Sequence, residues 1–360
     1  MGTKGKRMAD NEPKPVKKNY EKNTQEKVKK ERKHGKGRKI AIIIISILLI
    51  FAIIFGGLLY VASTTLGKIG FESLDESQLG LNNDLYNEVS NSVSQAEFNS
   101  IKNVALFGID GGRSDTIIIA SINQTDHTIK LISIPRDTYV SVEGHGKTKI
   151  NHAYAYGKET LALKTINENF GLNVSEYITI NFKGLINIIN KLDGIQLEIT
   201  KAEMDYINQN VAISYNISGN SNIKKLSSYG KVTLNGEQAL THSRNRTIGN
   251  DFYREERQRD VITAVMNKVS KMSLTQIWGL SDSILSEVKT NLDITECMGL
   301  LTSALSNSSE YMNNIISKQI PSEEEGNGSG KGQMISGVYY FVSDLDEASQ
   351  AFKDTIYGEE

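Results

Sequence analysis

The sequence predicts a single α/β domain, with a central and mostly buried sheet flanked by helices, behind one N-terminal transmembrane helix. Two observations indicate the α/β class. Short β-rich apolar runs alternate with segments of helical spacing, and Gly, Asp or Asn bounds these runs. A third observation indicates the membrane helix: 22 consecutive residues, 40–61, carry no charge and are almost all aliphatic.

Residues 1–39 form a basic tail, with 12 Lys and 3 Arg against 5 acidic residues. The tail therefore carries a net charge of +10, whereas residues 40–360 carry −11. Such a tail is typical of a disordered segment beside either nucleic acid or an anionic membrane. Because a long apolar run follows it, we expect a membrane and no nucleic acid as its partner.

The apolar run 40–61 is long enough to cross a bilayer, since about 20 helical residues span a hydrocarbon core of about 30 Å. Lys and Arg stay on the cytoplasmic side, which predicts a cytoplasmic tail and an extracytoplasmic domain. A buried soluble helix and a cleaved signal peptide are the alternatives. A signal peptide has a shorter apolar core and a shorter charged region, so we predict an uncleaved, single-pass signal anchor in the cell membrane.

After the anchor, residues 62–100 are polar and predict a stalk or linker, and the domain is predicted to occupy 101–360. Residues 103–109, 116–122 and 128–134 predict three strands. Residues 157–170 and 184–192 have helical spacing, and residues 176–182 and 195–199 predict two more strands. The single cysteine, Cys297, excludes an internal disulfide.

The second half of the domain is less regular. Residues 200–231 are polar and predict an insertion or loop. Residues 251–271 have a strong helical pattern, and residues 321–333 are typical of a flexible surface loop. A late strand at 338–342 and an amphipathic helix at 344–357 complete the predicted elements.

The first chemical cluster is a glycine turn between two predicted strands. Asp110 and Asp115 flank Gly111 and Gly112, and Arg113 lies in the same turn. Because the glycines permit a sharp reversal, the two carboxylates can face one point, and Mg²⁺ typically takes one or two carboxylates together with substrate phosphates. The alternative is a hairpin that uses Asp as an ordinary turn residue.

Arginines form two further clusters. Arg136 follows Pro135 at the end of a predicted strand, where it forms either a functional site or a surface salt bridge. Arg244 and Arg246 share a face if their segment is extended, and Arg254 lies four residues before Gln258 on one helical face together with Asp251. Guanidinium groups match phosphate oxygens bidentately, so this cluster favours an anion site over a solvated charged face.

In this order, the clusters resemble the LytR–CpsA–Psr family of cell-wall ligases. The resemblance rests on the segments NVALFGIDGGRSDTIIIASIN, IKLISIPRDTYV, KINHAYAYG, NFKGLINIINKLDGIQLEI and LNGEQALTHSRNRTIGNDFYREERQRDVI, within residues 101–270. It implies an α/β fold with an apolar cavity for a prenyl chain. The apolar residues of 161–192 either line that cavity or form ordinary core. It also implies a phosphotransferase that moves a glycopolymer from a polyprenyl-pyrophosphate carrier to a peptidoglycan sugar hydroxyl.

The resemblance also implies roles for individual residues. Asp110 and Asp115 would hold Mg²⁺, with Mn²⁺ as an alternative, and Asp251 would orient the arginines or accept a proton. The pyrophosphate would be bound by Arg136, Arg244, Arg246, Arg254 and Gln258, with Arg113 as a further candidate. The carrier-linked glycopolymer and peptidoglycan would be the partners. Two other functions stay open at this point, namely a regulatory module that senses lipid-linked precursors and a hydrolase that uses water as the acceptor.

Overall fold

The computed structural model describes residues 70–71, 73–245, 247–248, 287–292 and 314–358, together with separate residues between 254 and 311. The predicted tail, the membrane anchor at 40–61 and the first part of the stalk lie outside the described residues. Among the helices within the described ranges, none is both long enough and apolar enough to cross a bilayer.

The described residues form the following strands and helices. The strands are β1 (Gly70–Phe71), β2 (Ile101–Asp110), β3 (Arg113–Asn123), β4 (Thr128–Ser133), β5 (Tyr139–Val142), β6 (Gly146–Lys149), β7 (Glu176–Asn181), β8 (Ile195–Ile199), β9 (Gly230–Leu234), β10 (Val288–Thr290), β11 (Ile315–Gln319), β12 (Lys331–Ile335) and β13 (Val338–Val342). The helices are α1 (Leu85–Val89), α2 (Gln95–Ser100), α3 (Ile150–Phe170), α4 (Phe182–Lys191), α5 (Lys201–Ser218), α6 (Gly236–Ser243) and α7 (Leu345–Tyr357), and a 3-10 turn (Glu76–Gln78) precedes α1.

Seven of these strands form one mixed sheet in the order β1-β10-β7-β2-β3-β4-β11. Strand β2 pairs in parallel with β7 and antiparallel with β3, and β4 pairs in parallel with β11. The pairs β5–β6, β8–β9 and β12–β13 form separate antiparallel hairpins or ladders. The predicted α/β layering with a central sheet between helices is therefore confirmed, and the sheet is mixed.

Two hydrophobic cores cover the two faces of this sheet, because successive strand residues point to opposite faces. On β2, Val104 belongs to the core shared with α4, α5 and α6, whereas Ala105 and Phe107 belong to the core shared with α3 and α7. Both faces of β2 and β3 are thus buried, which is why the two strands read as continuous apolar runs rather than as alternating ones.

Side-chain caps set where several helices begin. Asn181 caps α4, and Thr200 and Asn235 form complete capping boxes at the starts of α5 and α6. Each cap satisfies backbone N–H groups that have no partner within the helix. The first turn of α4 lies next to the end of β2, because its cap Asn181 pairs with Ile109. The first turn of α6 contacts Asn190 in the last turn of α4, so α6 runs back and its end, at Arg244, reaches Asp110.

Three predicted segments need correction. Residues 73–100 are part of the domain rather than of a stalk, because Leu79 and Leu85 are fully buried in the core under α3. Residues 200–231 are a loop only in part, since Lys201–Ser218 form helix α5 and Gly230 begins β9, whereas residues 219–229 between them have no regular structure. The predicted surface loop at 321–333 ends earlier, because residues 331–335 form strand β12.

The parallel strands β2 and β7 end together at one edge of the sheet. The turn between β2 and β3 is formed by Gly111 and Gly112, with φ angles of 53° and 84°. This left-handed backbone suits glycine, which has no Cβ to clash. The carboxyl ends of the parallel strands β2 and β7 open beside this turn, at the position where α/β sheets commonly bind ligands.

Candidate functional site

A cavity of about 510 Å³ lies at this edge of the sheet. Its walls are formed by the β2–β3 turn, the segment after β4, helices α4, α5 and α6, and the segment that follows α6. Its lining residues are Asp110, Gly111, Arg113, Asp115, Arg136, Phe182, Tyr206, Asn210, Ile213, Ser214, Thr241, Arg244, Arg254 and Gln258. Seven candidate residues from the sequence therefore meet at one cavity, although they come from segments about 150 residues apart.

Each of the two aspartates at the turn is paired with one arginine. Arg136 Nη1 donates to Asp115 Oδ1 at 2.6 Å, and Arg244 Nη2 donates to Asp110 Oδ2 at 3.1 Å. The side chains of Asp115 and Arg136 are 19% and 14% exposed, so this pair is largely screened from water. The turn is thus a hairpin, as one alternative held, and it also presents both carboxylates to the cavity.

Arg244 reaches the cavity from a helix end rather than from an extended segment. Helix α6 ends at Ser243, and Arg244 occupies the capping position with helical backbone angles. Its guanidinium lies 4.9 Å from the centre of the Phe182 ring, a cation–π distance that fixes the planar group over an apolar surface. The expectation that Arg244 and Arg246 share a face of an extended strand is therefore wrong for Arg244, and Arg246 lies outside the described residues.

Arg254 and Gln258 line the cavity from a helical segment. Both residues are helical, and their spacing of four places them on one face, as predicted. Arg254 is only 3% exposed, so its charge lies in a site shielded from water. Gln258 Oε1 accepts a hydrogen bond from Thr116 Oγ1 at 3.1 Å, which holds this helix against the start of β3. Asp251, the other predicted member of this face, lies outside the described residues.

The donor set of the cavity suits a hard divalent cation. Asp110 and Asp115 supply carboxylate oxygens, the ligand type that Mg²⁺ prefers, and the pairings with arginine engage one oxygen of each carboxylate. Among the residues that the structure describes, no group of three or more His, Cys, Asp or Glu converges as a metal site. Mg²⁺ typically takes one or two carboxylates and lets substrate phosphates complete the coordination, so the residue types at the turn suit this ion.

Helix α5 supplies a wall of the cavity that the sequence did not predict. Tyr206, Asn210, Ile213 and Ser214 all lie in the segment read as a loop, and Ile213 is 57% exposed. The apolar residues of 161–192 mostly form ordinary core, as one alternative held, and from that segment the cavity takes Phe182.

A buried charged cluster beneath the cavity holds the segment after α6 in place. Arg257 Nε donates to Glu203 Oε1 at 3.0 Å, and its Nη1 donates to the backbone oxygen of Asn245 at 3.1 Å. Arg257 therefore supports the backbone next to Arg244, and it does not line the cavity. Glu203 also belongs to the capping box of α5, so a single carboxylate connects that helix to the arginine segment.

His242 lies in the same cluster and is 3% exposed. Burial lowers the pKa of His242 from 6.5 to about 4, and the nearby Glu203 carboxylate offsets part of this effect. In the unfolded chain the imidazole takes up a proton as the pH falls below about 6.5, whereas the folded protein resists protonation until about pH 4. The contribution of neutral His242 to the free energy of unfolding is therefore fully present above pH 6.5 and is lost as the pH falls towards 4.

We expect the purified chain to lose about 2 kcal/mol more unfolding free energy between pH 7.5 and pH 5 than the His242→Gln variant does. The variant lacks a titrating group at this position, so its stability should be flatter across this range. Urea denaturation at the two pH values measures the difference. Equal losses in both proteins would show that protonation of His242 does not drive the acid sensitivity.

Residues 73–356 match the LytR_cpsA_psr family. The chain is 31% identical over 341 residues to the polyisoprenyl-teichoic acid–peptidoglycan teichoic acid transferase TagU of Oceanobacillus iheyensis, covering 89% of this chain and 95% of that one. It is 33% identical over 267 residues to the TagU of Enterococcus faecalis, covering 69% of this chain and 80% of that protein.

Solved structures agree with these sequence relationships. The structure of TagT bound to LIIa-WTA superposes with a TM-score of 0.54 at 28% identity, covering 71% of this chain and 91% of that one. The family protein YwtF (TagT) with bound octaprenyl pyrophosphate lipid gives 0.52 at 26% identity, covering 71% and 90%. Since the family match spans most of the chain, this protein belongs to the LytR–CpsA–Psr family.

Proposed function

We propose that this protein is a phosphotransferase that moves a glycopolymer from a polyprenyl-pyrophosphate carrier to a sugar hydroxyl of peptidoglycan. The single observation that supports this most strongly is the meeting of Arg136, Arg244 and Arg254 with Asp110 and Asp115 at one cavity. Relatives of similar length are named as transferases of teichoic acid to peptidoglycan, and a related structure holds octaprenyl pyrophosphate.

The proposed reaction breaks the phosphoanhydride bond of the carrier pyrophosphate and forms a phosphoester bond to the acceptor sugar. The acceptor hydroxyl oxygen attacks the phosphorus that carries the glycopolymer, a new phosphodiester forms, and the bond to the bridging oxygen breaks. Polyprenyl phosphate leaves with that bond's electron pair, and the hydroxyl proton passes to a base or to water. The reaction needs no ATP, because cleavage of the pyrophosphate supplies the free energy.

The arginines would act by electrostatic stabilisation. Charge grows on the phosphate oxygens and on the leaving group in the transition state, and fixed donors in a shielded site stabilise it. Arg254 is buried, Arg136 is held by Asp115, and Arg244 is held over Phe182, so the three groups are positioned before the substrate arrives.

Asp110 and Asp115 are proposed to hold a magnesium ion, with manganese as a substitute. When bound, the ion would neutralise charge on the pyrophosphate oxygens. The carboxylates also have a role of their own, because each one orients an arginine of the site. Asp251 is proposed to orient the arginines or to accept the proton of the incoming hydroxyl.

A single assay tests the proposed function against its two alternatives. The purified chain is mixed with lipid-linked glycopolymer and soluble peptidoglycan oligomer, and the products are separated by mass. We expect glycopolymer joined to peptidoglycan, together with polyprenyl phosphate. Release of free glycopolymer phosphate would indicate a hydrolase, and tight binding of the donor with no product would indicate a regulatory module.

The proposed location is the cell membrane, with residues 1–39 inside, 40–61 as an uncleaved single-pass anchor, and the domain outside. We expect the full-length chain in the membrane fraction. Protease added to intact protoplasts should digest the domain and spare an epitope tag at the N-terminus. Recovery of a soluble form that begins near residue 63 would contradict the anchor.

A further inference from the structure

The segment KINHAYAYG, residues 149–157, belongs to the family resemblance, yet the proposed function gives none of its residues a role. Its first residue, Lys149, ends strand β6 and directly precedes helix α3. Lys149 Nζ lies 2.7 Å from Asp137 Oδ1, and the two side chains are only 19% and 12% exposed. Lys149 and Asp137 therefore form a largely buried ion pair directly beside Arg136.

The carboxylate of Asp137 is shared between Lys149 and Arg136. Asp137 Oδ2 lies 3.5 Å from Arg136 Nε, whereas Arg136 Nη1 donates to Asp115 Oδ1 at 2.6 Å. Arg136 thus lies between two carboxylates, and Lys149 is the cation on the far side of one of them. The two negative and two positive charges of this row balance one another.

The main chain beside Arg136 is held by two other elements of the fold. Phe341 N of β13 donates to Asp137 O at 2.8 Å, and Asn151 N in the first turn of α3 donates to Arg136 O at 3.2 Å. Because both elements fix the backbone, the direction of the Arg136 guanidinium depends on the charged groups around it.

We propose that Lys149 is a positioning residue for Arg136. By neutralising Asp137, it lets this carboxylate orient the guanidinium without drawing it away from the pyrophosphate. This role rests on the proposed function, in which Arg136 binds the pyrophosphate of the carrier. An unbalanced carboxylate next to Arg136 would compete with the phosphate oxygens, because opposite charges a few ångströms apart interact strongly where water is largely excluded.

Lys149 acts on the cavity only through its neighbours. Among the described residues that line the cavity, Arg136 is present, whereas Lys149 and Asp137 are not. An effect of Lys149 on the pyrophosphate must then pass through Asp137 and Arg136. Direct contact of the ammonium group with a phosphate would instead be independent of Asp137, so a double variant can distinguish the two roles.

The test measures binding of polyprenyl pyrophosphate to the full-length chain by calorimetry, together with kcat/KM for lipid-linked glycopolymer. We expect Lys149→Gln to weaken binding and to lower kcat/KM about tenfold, because removing one partner of a buried pair leaves the Asp137 charge uncompensated. Lys149→Arg should stay close to the wild type, since it keeps a positive charge beside Asp137. Adding Asp137→Asn to Lys149→Gln should recover most of the loss, because the unbalanced carboxylate is then absent.

Lys164→Gln is the matched control. Lys164 lies on the same helix α3, its Nζ is 2.6 Å from Glu143 Oε2, and its side chain is 20% exposed, close to the 19% of Lys149. Neither Lys164 nor Glu143 is among the described residues that line the cavity. This variant should bind polyprenyl pyrophosphate as the wild type does.

Two results would overturn the positioning role. The first is wild-type affinity and kcat/KM in Lys149→Gln, and the second is a double variant no better than Lys149→Gln. If Lys149→Gln alone does not fold, Asp137→Asn is compared with the double variant. Equal affinities are expected, and a further loss in the double variant would show that Lys149 acts independently of Asp137.

Failure of the proposed function gives a different pattern. A wild type that binds polyprenyl pyrophosphate and makes no ligated product would refute the transferase activity, and the order of the affinities would still decide the role of Lys149. A wild type that does not bind polyprenyl pyrophosphate would refute both.

Discussion

With lipid-linked glycopolymer as the donor, the Arg254→Lys variant should lose about ten- to a hundredfold in kcat/KM. Lysine keeps the positive charge and loses the planar group with two parallel donors. A hydrogen bond to a charged group contributes about 1.5–3 kcal/mol, which corresponds to this loss in rate. Arg254 is 3% exposed, so water cannot easily replace the missing contact.

Arg244→Lys should show a similar loss with an additional cause. The guanidinium lies over the Phe182 ring, and an ammonium group fits that position less well. Lys201→Gln provides the control, because it removes a positive charge from an exposed ion pair with Asp205 outside the cavity. Such pairs contribute about 0–1 kcal/mol, so the control should keep nearly full activity. Near-wild-type rates for both arginine variants would refute the phosphate-binding role.

The sequence predicts the central strands and the cavity arginines well, because their signals are local. Strands β2 to β4 are buried on both faces and therefore appear as unbroken apolar runs. The glycine turn between Asp110 and Asp115 is visible as a motif, and so is the spacing of Arg254 and Gln258. What joins these segments at one cavity is the order of the strands, which no local pattern contains.

The sequence pattern does not predict helix α5, because the cavity interrupts the apolar stripe of this helix. Its buried residues are Ile207, Val211, Ser214 and Tyr215, so a polar residue interrupts the apolar stripe. Ser214 lines the cavity as well as lying in the helix interface. A helix that serves a polar site on one side and a core on the other has a weak amphipathic signal.

The supporting role of Arg257 cannot be predicted from the sequence for a different reason. Arg257 lies three residues after Arg254 in the sequence, and no local pattern distinguishes the two arginines. Its partner Glu203 lies 54 residues away, in a polar segment whose sequence predicts an insertion or loop. Only the fold distinguishes the arginine that faces the cavity from the one that supports the backbone beneath it.

Asp115→Asn should cause the largest loss of all, about a hundred- to a thousandfold in kcat, the usual effect of removing one electrostatic group from a transition-state site. The substitution removes a proposed metal ligand and also a partner of Arg136. Asp110→Asn should act in the same direction through Arg244. The isolated carboxylates would repel each other, but each is already paired with an arginine, so we expect no gain in melting temperature from either change.

Asp137→Asn is the matched control for the metal. Asp137 contacts Arg136 and Lys149 as an ion-pair partner, yet it does not line the cavity. If Asp110 and Asp115 hold the ion, Mn²⁺ binding followed by electron paramagnetic resonance in the presence of polyprenyl pyrophosphate should weaken in their variants and persist in Asp137→Asn. Equal Mn²⁺ binding in all three variants would contradict the metal site. Asp110 and Asp115 would then serve only to orient the arginines. Loss of activity with retained Mn²⁺ binding would therefore assign the effect to the displaced guanidinium groups, which separates the two roles of the same carboxylates.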